Sequence, residues 1–142
     1  MNAVVRKILV PIDGSELTER VIDTACGLSK AFGAPITLLH VVVLPVTTEP
    51  GFPIDPTPLE EIGQKILQSA SEFSNRKGCK AEGILETDVG NPGHRIVRIA
   101  KENNFDLIVI GAQGMSRIEA LILGSVSGTV THRASCPVLV VR

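Results

Sequence analysis

The chain has 142 residues, 44% of them apolar and 20% charged, which excludes a disordered polymer and suits one domain, residues 1–142, with a core that needs no disulfides or structural metal. Fourteen Lys and Arg against fifteen Asp and Glu leave a formal charge of −1, and the only aromatic residues are four Phe. There is no basic surplus for a nucleic-acid backbone, no stacking platform for single strands and no apolar run long enough to span a bilayer.

In chain order, short β-branched runs alternate with helical patterns. Lys7–Ile12 (KILVPI) predicts a first strand, ended by Asp13-Gly14. Leu17, Val21, Ala25, Leu28 and Phe32 form a helical stripe; Ser15 reads as its N-cap, Glu16 and Glu19 as first-turn acids, and Gly33 as its stop. Ile36–Val43 predicts a second strand, with His40 as a hydrogen-bonded core histidine. A proline-rich loop from Pro45 to Pro56 then leads to Thr57-Pro58-Leu59-Glu60, which reads as a capping box with Pro at the first helical position. Leu59, Ile62, Ile66, Ala70 and Phe73 mark the buried face of that second helix, which ends near Gly78. Lys80–Thr87 predicts a more polar strand. Asn91 is placed to cap a helix that starts with Pro92 and buries Ile96, Ile99 and Ala100. Asp106–Ile110 predicts a fourth strand, a helix lies near Ser125–Ala134, and Pro137 opens a fifth strand over Val138–Val141.

Strands that alternate with helices predict an α/β fold: one doubly wound parallel sheet of five strands with helices on both faces. Ligands of such sheets sit outside the carboxyl ends of the strands. Those ends are Asp13-Gly14, Val41–Val43, Thr87–Asn91 and Gly111–Gly114. The stretch Gly111–Ser127 runs from a strand end to a helix start. Gly111 and Gly114 permit close backbone approach, and Gly124-Ser125 opens a helix whose first amides lack partners within it. Free amides and the helix dipole make an anion site, to which the Ser125 and Ser127 hydroxyls and the Arg117 guanidinium can add. No Walker loop and no G-x-G-x-x-G fingerprint is present. Alone, G-x-x-G reads as turn and cap residues; its place between strand end and helix start favours a phosphate.

Other groups carry less. Asp13 suits either an Asp-Gly turn or a ribose contact. Gly90-Asn91-Pro92-Gly93, a second G-x-x-G, reads as a strand-to-helix turn facing the same cleft. His94 and His132 read as solvent-facing. Cys26, Cys79 and Cys136 are odd in number and widely spaced, so they read as free thiols in a reducing compartment. Together with a start, MNAVVRKILVPIDGS, that lacks a signal-peptide core, this predicts a cytoplasmic protein.

Gly111-x2-Gly114-x9-Gly124-Ser125, with KILVPIDGS, LLHV, DLIVIGAQG, LGSVS and SCPVLVVR, resembles the ATP-binding branch of the universal stress protein family over nearly the whole chain. The resemblance implies strand order 3-2-1-4-5, ATP held across the first and fourth strand ends, accompanied by Mg2+, and a homodimer made by pairing of the last strands. It implies Pro11 beside the base or sugar, Asp13 on the ribose and the Val41 backbone on the adenine edge. Gly111, Gln113, Gly114, Met115, Ser116 and Arg117 then wrap the phosphates, with Gly124, Ser125, Val126 and Ser127 as the triphosphate cradle. Many relatives carry Ser and a basic residue or His within the first G-x-x-G. Ala112 and Gln113 stand there in this chain, so what the resemblance carries over at these two positions is the backbone contacts.

The expected function is an ATP-binding stress-response module that signals its occupancy through conformation or partners. A slow ATPase or autophosphorylating enzyme is the alternative; only Asp13 and Glu119 are carboxylates near the loop, which argues against rapid turnover. A nucleotide-free dimeric interaction protein is the third reading, against which the intact glycine motif stands. The terminal apolar strand independently suggests a sheet edge that seeks a partner.

Overall fold

The computed structural model describes residues 4–46, 51, 54–114 and 123–142. Five strands, β1 (Ile8–Pro11), β2 (Ile36–Leu44), β3 (Ala81–Val89), β4 (Leu107–Gly111) and β5 (Val138–Val141), form one parallel sheet in the order β3-β2-β1-β4-β5. Ile8 aligns with Ile36 of β2 and with Leu107 of β4, so β1 is the central strand. Four helices, α1 (Thr18–Phe32), α2 (Thr57–Arg76), α3 (Gly93–Glu102) and α4 (Ser125–Arg133), link the strands.

The two sheet faces follow from the two-residue period of the strands. Ile8, Val10, Ile36, Leu38, Leu107 and Val109 pack on one face with Val21, Ile22, Ala25 and Cys26 of α1 and Leu67 and Ala70 of α2. Leu9, Leu39, Val41, Ile108 and Ile110 pack on the other with Ile96, Ile99 and Ala100 of α3 and Val130 of α4. The chain leaves β1 toward β2 on one side and later returns to β4 on the other. The strand order therefore reverses between β1 and β4, and their carboxyl ends splay apart to leave a crevice.

Several local expectations are corrected. Ser15 is not the cap of α1. Its amide donates to Asp13 Oδ1 at 2.9 Å, its carbonyl accepts from Thr18 at 3.1 Å, and the N-cap position falls to Leu17. The Asp-Gly turn, with Gly14 at φ 79°, uses up Ser15 before the helix begins. Glu16 consequently precedes α1, while Glu19 does lie in its first turn. Phe32 is 43% exposed, because the last turn of α1 runs past its buried face.

The capping box at Thr57 does not form. Asp55 Oδ1 accepts the Thr57 amide at 3.0 Å, so the helix starts one residue early and Pro58 takes the second position. That bond holds the Asp55 carboxyl below its ordinary range. Ile62, expected in the core, is 55% exposed. Leu67, the residue after the stripe position Ile66, is buried instead. Burial raises the Cys26 thiol to about 11, with the nearby Cys79 thiol adding to the shift, so Cys26 is ill suited to nucleophilic chemistry.

Candidate functional site

All four helices begin at the carboxyl edge of the sheet, because each runs back antiparallel to the strand before it. That edge holds a cleft of about 720 Å³, within the range of small-molecule sites. Its floor comes from Pro11, Ile12 and Asp13 after β1 and from Leu39 to Val43 of β2. Ile110, Gly111, Gln113 and Gly114 close one wall, with Ser125, Val126 and Ser127 of α4. Gly90, Asn91 and Pro92 stand at the β3 end, and Leu17, Leu59 and Ile62 cover the side of α1 and α2.

At the β1 end, Asp13 is held by its turn bond to Ser15 and by the approaching β4 loop. A Cβ on Gly114 would lie 2.3 Å from Asp13 Oδ2. Only a residue without a side chain lets the loop backbone pass that close to the carboxylate.

At the β4 end, strand and helix are tied together. Ala112 donates to the Val141 carbonyl at 2.7 Å, Gly124 donates to the Ala112 carbonyl at 2.8 Å, and the Ser127 hydroxyl donates to the Gly111 carbonyl. The first bond inside α4 runs from Gly128 to the Gly124 carbonyl at 2.8 Å. The amides of Ser125, Val126 and Ser127 therefore precede the helical ladder and lack partners within it. No acidic residue lies in the first turn of α4, and its basic residues lie in the last, so its amino end keeps a positive dipole end in the cleft.

The Val41 backbone has a defined direction. Ile12 donates to the Leu39 carbonyl at 2.8 Å, so the polar groups of Leu39 point toward β1. Two residues on, those of Val41 point the same way, past Pro11 where β1 has ended. His40 Nδ1 lies 2.8 Å from the Ile12 carbonyl, which fixes the chain between β1 and Asp13.

The structure thus brings Pro11, Asp13, Val41, Gly111, Gln113, Gly114, Ser125, Val126 and Ser127 to one cleft, with Gly124 packed behind the loop at 112–114. Met115, Ser116 and Arg117 lie outside the described residues, as does Glu119. One role is corrected: the Ser127 hydroxyl is committed to Gly111 and the residue is buried, so only its amide is left for a ligand. His40, read as a core residue, makes its hydrogen bond but is half-buried and lines the cleft. Periodicity alone puts Leu59 and Ile62 on the buried face of the second helix, yet both line the cleft. Their place in the first turns of α2, next to the strand ends, is the signal that points to the cleft. Arg95 does not line the cleft; it pairs with Asp88 at 3.0 Å and helps hold that carboxyl low, after the Val89 amide. Among the described residues, no group of three or more His, Cys, Asp or Glu is placed to hold a metal, and no helix is long and apolar enough to cross a membrane.

A doubly wound α/β sheet with a backbone-lined crevice between β1 and β4 defines a class of small-ligand binding proteins. Residues 5–142 match the model of the universal stress protein family, and the chain belongs to that family. It is 38% identical to the universal stress protein YxiE of Bacillus subtilis, over 96% of this chain and 98% of that one. Two solved structures are similar at 26% identity. One is the universal stress protein from Archaeoglobus fulgidus in complex with dAMP, with a TM-score of 0.72 over 98% of this chain and 99% of that one. The other is a universal stress protein in complex with cAMP, with a TM-score of 0.73 over 98% of both chains.

Proposed function

We propose that residues 1–142 act as one ATP-binding unit of a cytoplasmic stress-response protein, which reports nucleotide occupancy to partners and does not turn ATP over rapidly. The observation that carries this reading is the junction at Gly111–Gly114 and Gly124–Ser127. There the first three amides of α4 face a cleft whose other end holds Asp13. Each phosphate oxygen that meets those amides replaces water with preoriented donors and a favourable dipole. In this reading Asp13 accepts the ribose hydroxyls. The Val41 N–H and C=O offer one donor and one acceptor, which match the ring nitrogen and amino group on the adenine edge. Pro11 supplies an apolar surface beside the base. Met115, Ser116 and Arg117 would complete the phosphate wrap. Mg2+ would come in on the phosphate oxygens, since the described residues provide no acidic cluster for it. Relatives in complex with dAMP and cAMP support an adenine nucleotide as the class of ligand.

A monophosphate is the second reading, because both of those ligands carry a single phosphate. Calorimetry with ATP, AMP and cAMP separates the two. ATP is expected to bind at least about tenfold tighter than either monophosphate, since one more hydrogen-bonded phosphate contributes roughly 1.4 kcal/mol. Equal or tighter binding of AMP would replace ATP as the ligand, and release of phosphate at turnovers per second would replace the binding role with an enzymatic one.

The same proposal includes a homodimer through β5. This strand lies at the sheet edge with Leu139 38% exposed, and a bare apolar edge is completed by a second copy of itself. Light scattering at micromolar concentration is expected to give about twice the chain mass of 15.1 kDa. A monomer mass would remove the dimer and leave the nucleotide reading intact.

A further inference from the structure

We propose that Asn91 is a positioning residue: its side-chain amide locks the phosphate-facing end of α4 to α3 and so tunes affinity for the phosphates, not for the nucleoside. This rests on the nucleotide reading above. Asn91 stands in the β3–α3 turn at the rim of the cleft. Its Oδ1 accepts the Gly93 amide at 2.8 Å, which fixes the first turn of α3. Its Nδ2 donates to Thr129 Oγ1 at 2.9 Å and reaches the Ser125 carbonyl at 3.4 Å. The Thr129 hydroxyl donates in turn to the same Ser125 carbonyl at 2.9 Å. One planar amide thus joins the first turns of two helices, and its second arm ends on Ser125, the first residue of α4.

The packing around it allows little movement. A Cβ on Gly93 would lie 2.8 Å from Thr129 Cβ, so α3 and α4 touch backbone to side chain there. On its opposite side α4 is held to β4 through Gly124 and Ser127. Asn91 supplies the bond on the α3 side. Without it, the Ser125 carbonyl keeps Thr129 but loses its link to the rest of the fold, and the amides of Ser125 to Ser127 lose their fixed aim. A nucleoside without phosphates makes no use of those amides.

The test is calorimetry with ATP and adenosine on the wild type, Asn91→Ala, Thr129→Val and the double variant. Removing one or two hydrogen bonds that aim the cradle is expected to weaken ATP about tenfold in Asn91→Ala, with adenosine held within about twofold. Thr129→Val is expected to lose less, and the double variant no more than Asn91→Ala, because the two side chains act as one unit. Unchanged ATP affinity in Asn91→Ala, or an equal loss for adenosine, would overturn the inference. Amide exchange in the ligand-free protein provides a readout that needs no nucleotide. The Gly128 amide, bonded to Gly124, is expected to exchange several-fold faster in Asn91→Ala while β1 amides stay protected. If the wild type binds no nucleotide, the ATP reading fails by itself, and unchanged Gly128 protection would then sink the positioning role.

Discussion

Gly114→Ala is expected to cut ATP affinity by about 100-fold or more while leaving the free protein folded. The new Cβ would stand 2.3 Å from Asp13 Oδ2, a distance that no pair of non-bonded atoms tolerates, so the carboxylate must rotate away. Rotation breaks its bond to the Ser15 amide and removes the acceptor proposed for the ribose hydroxyls. Losing charge-assisted hydrogen bonds to two ribose hydroxyls costs about 1.5–3 kcal/mol each, a total that exceeds the roughly 2.7 kcal/mol of a 100-fold change. The fold has little to lose. Gly114 is not among the glycines at positive φ, so Ala adopts its backbone without strain, and the displaced group is the far end of a side chain. Calorimetry beside a melting curve checks both halves. ATP affinity within threefold of wild type would show that Asp13 does not contact the nucleotide from this position.

Gly124→Val is expected to abolish ATP binding by a different route. Gly124 has φ −64° and ψ 167°, extended backbone that Val prefers. Its Cβ would meet the Ala112 carbonyl oxygen and Gln113 Cα at 3.5 Å, which is ordinary contact. The two γ-methyls project further and are stiff about χ1, so they press on the loop at 112–114 or cover the Ser125 and Val126 amides. Phosphate oxygens cannot then reach the amides, and affinity falls by about 100-fold or more. Gly124→Ala, whose methyl fits, keeps affinity within about threefold. A titration in which the Val variant binds ATP like the wild type would place the phosphates elsewhere in the cleft.

The two variants attack opposite ends of one crevice, and both follow from the splayed ends of β1 and β4. In this family the nucleotide complexes with dAMP and cAMP concern related chains, so the distinction between triphosphate and monophosphate rests on how many phosphates the α4 amides and the loop can meet. Asn91 adds a third handle on the same end, one that acts through the aim of α4.

The alternation of buried strands and amphipathic helices was legible from residue order alone, because a chain that buries both faces of a sheet must write near-continuous apolar strands such as ILVP and LIVI. So was the Gly-Ser opening of α4, since a helix that starts at a strand end leaves its first amides bare whatever packs around it. Periodicity could not tell a core residue from a cleft residue. Ile62 and Ile66 sit on one helical stripe, yet Ile62 faces the crevice and Ile66 packs on the core, and the difference lies in where the sheet stops beneath α2. Nor could residue order tell that Ser127 spends its hydroxyl on Gly111, that Asp55 displaces Thr57 as the partner of the α2 amides, or that Asn91 bridges α3 to α4. Each of those outcomes is a competition among polar groups for one partner. Distance settles such competitions, and distance between residues 16 or 38 positions apart exists only once the sheet has brought their strands and helices together.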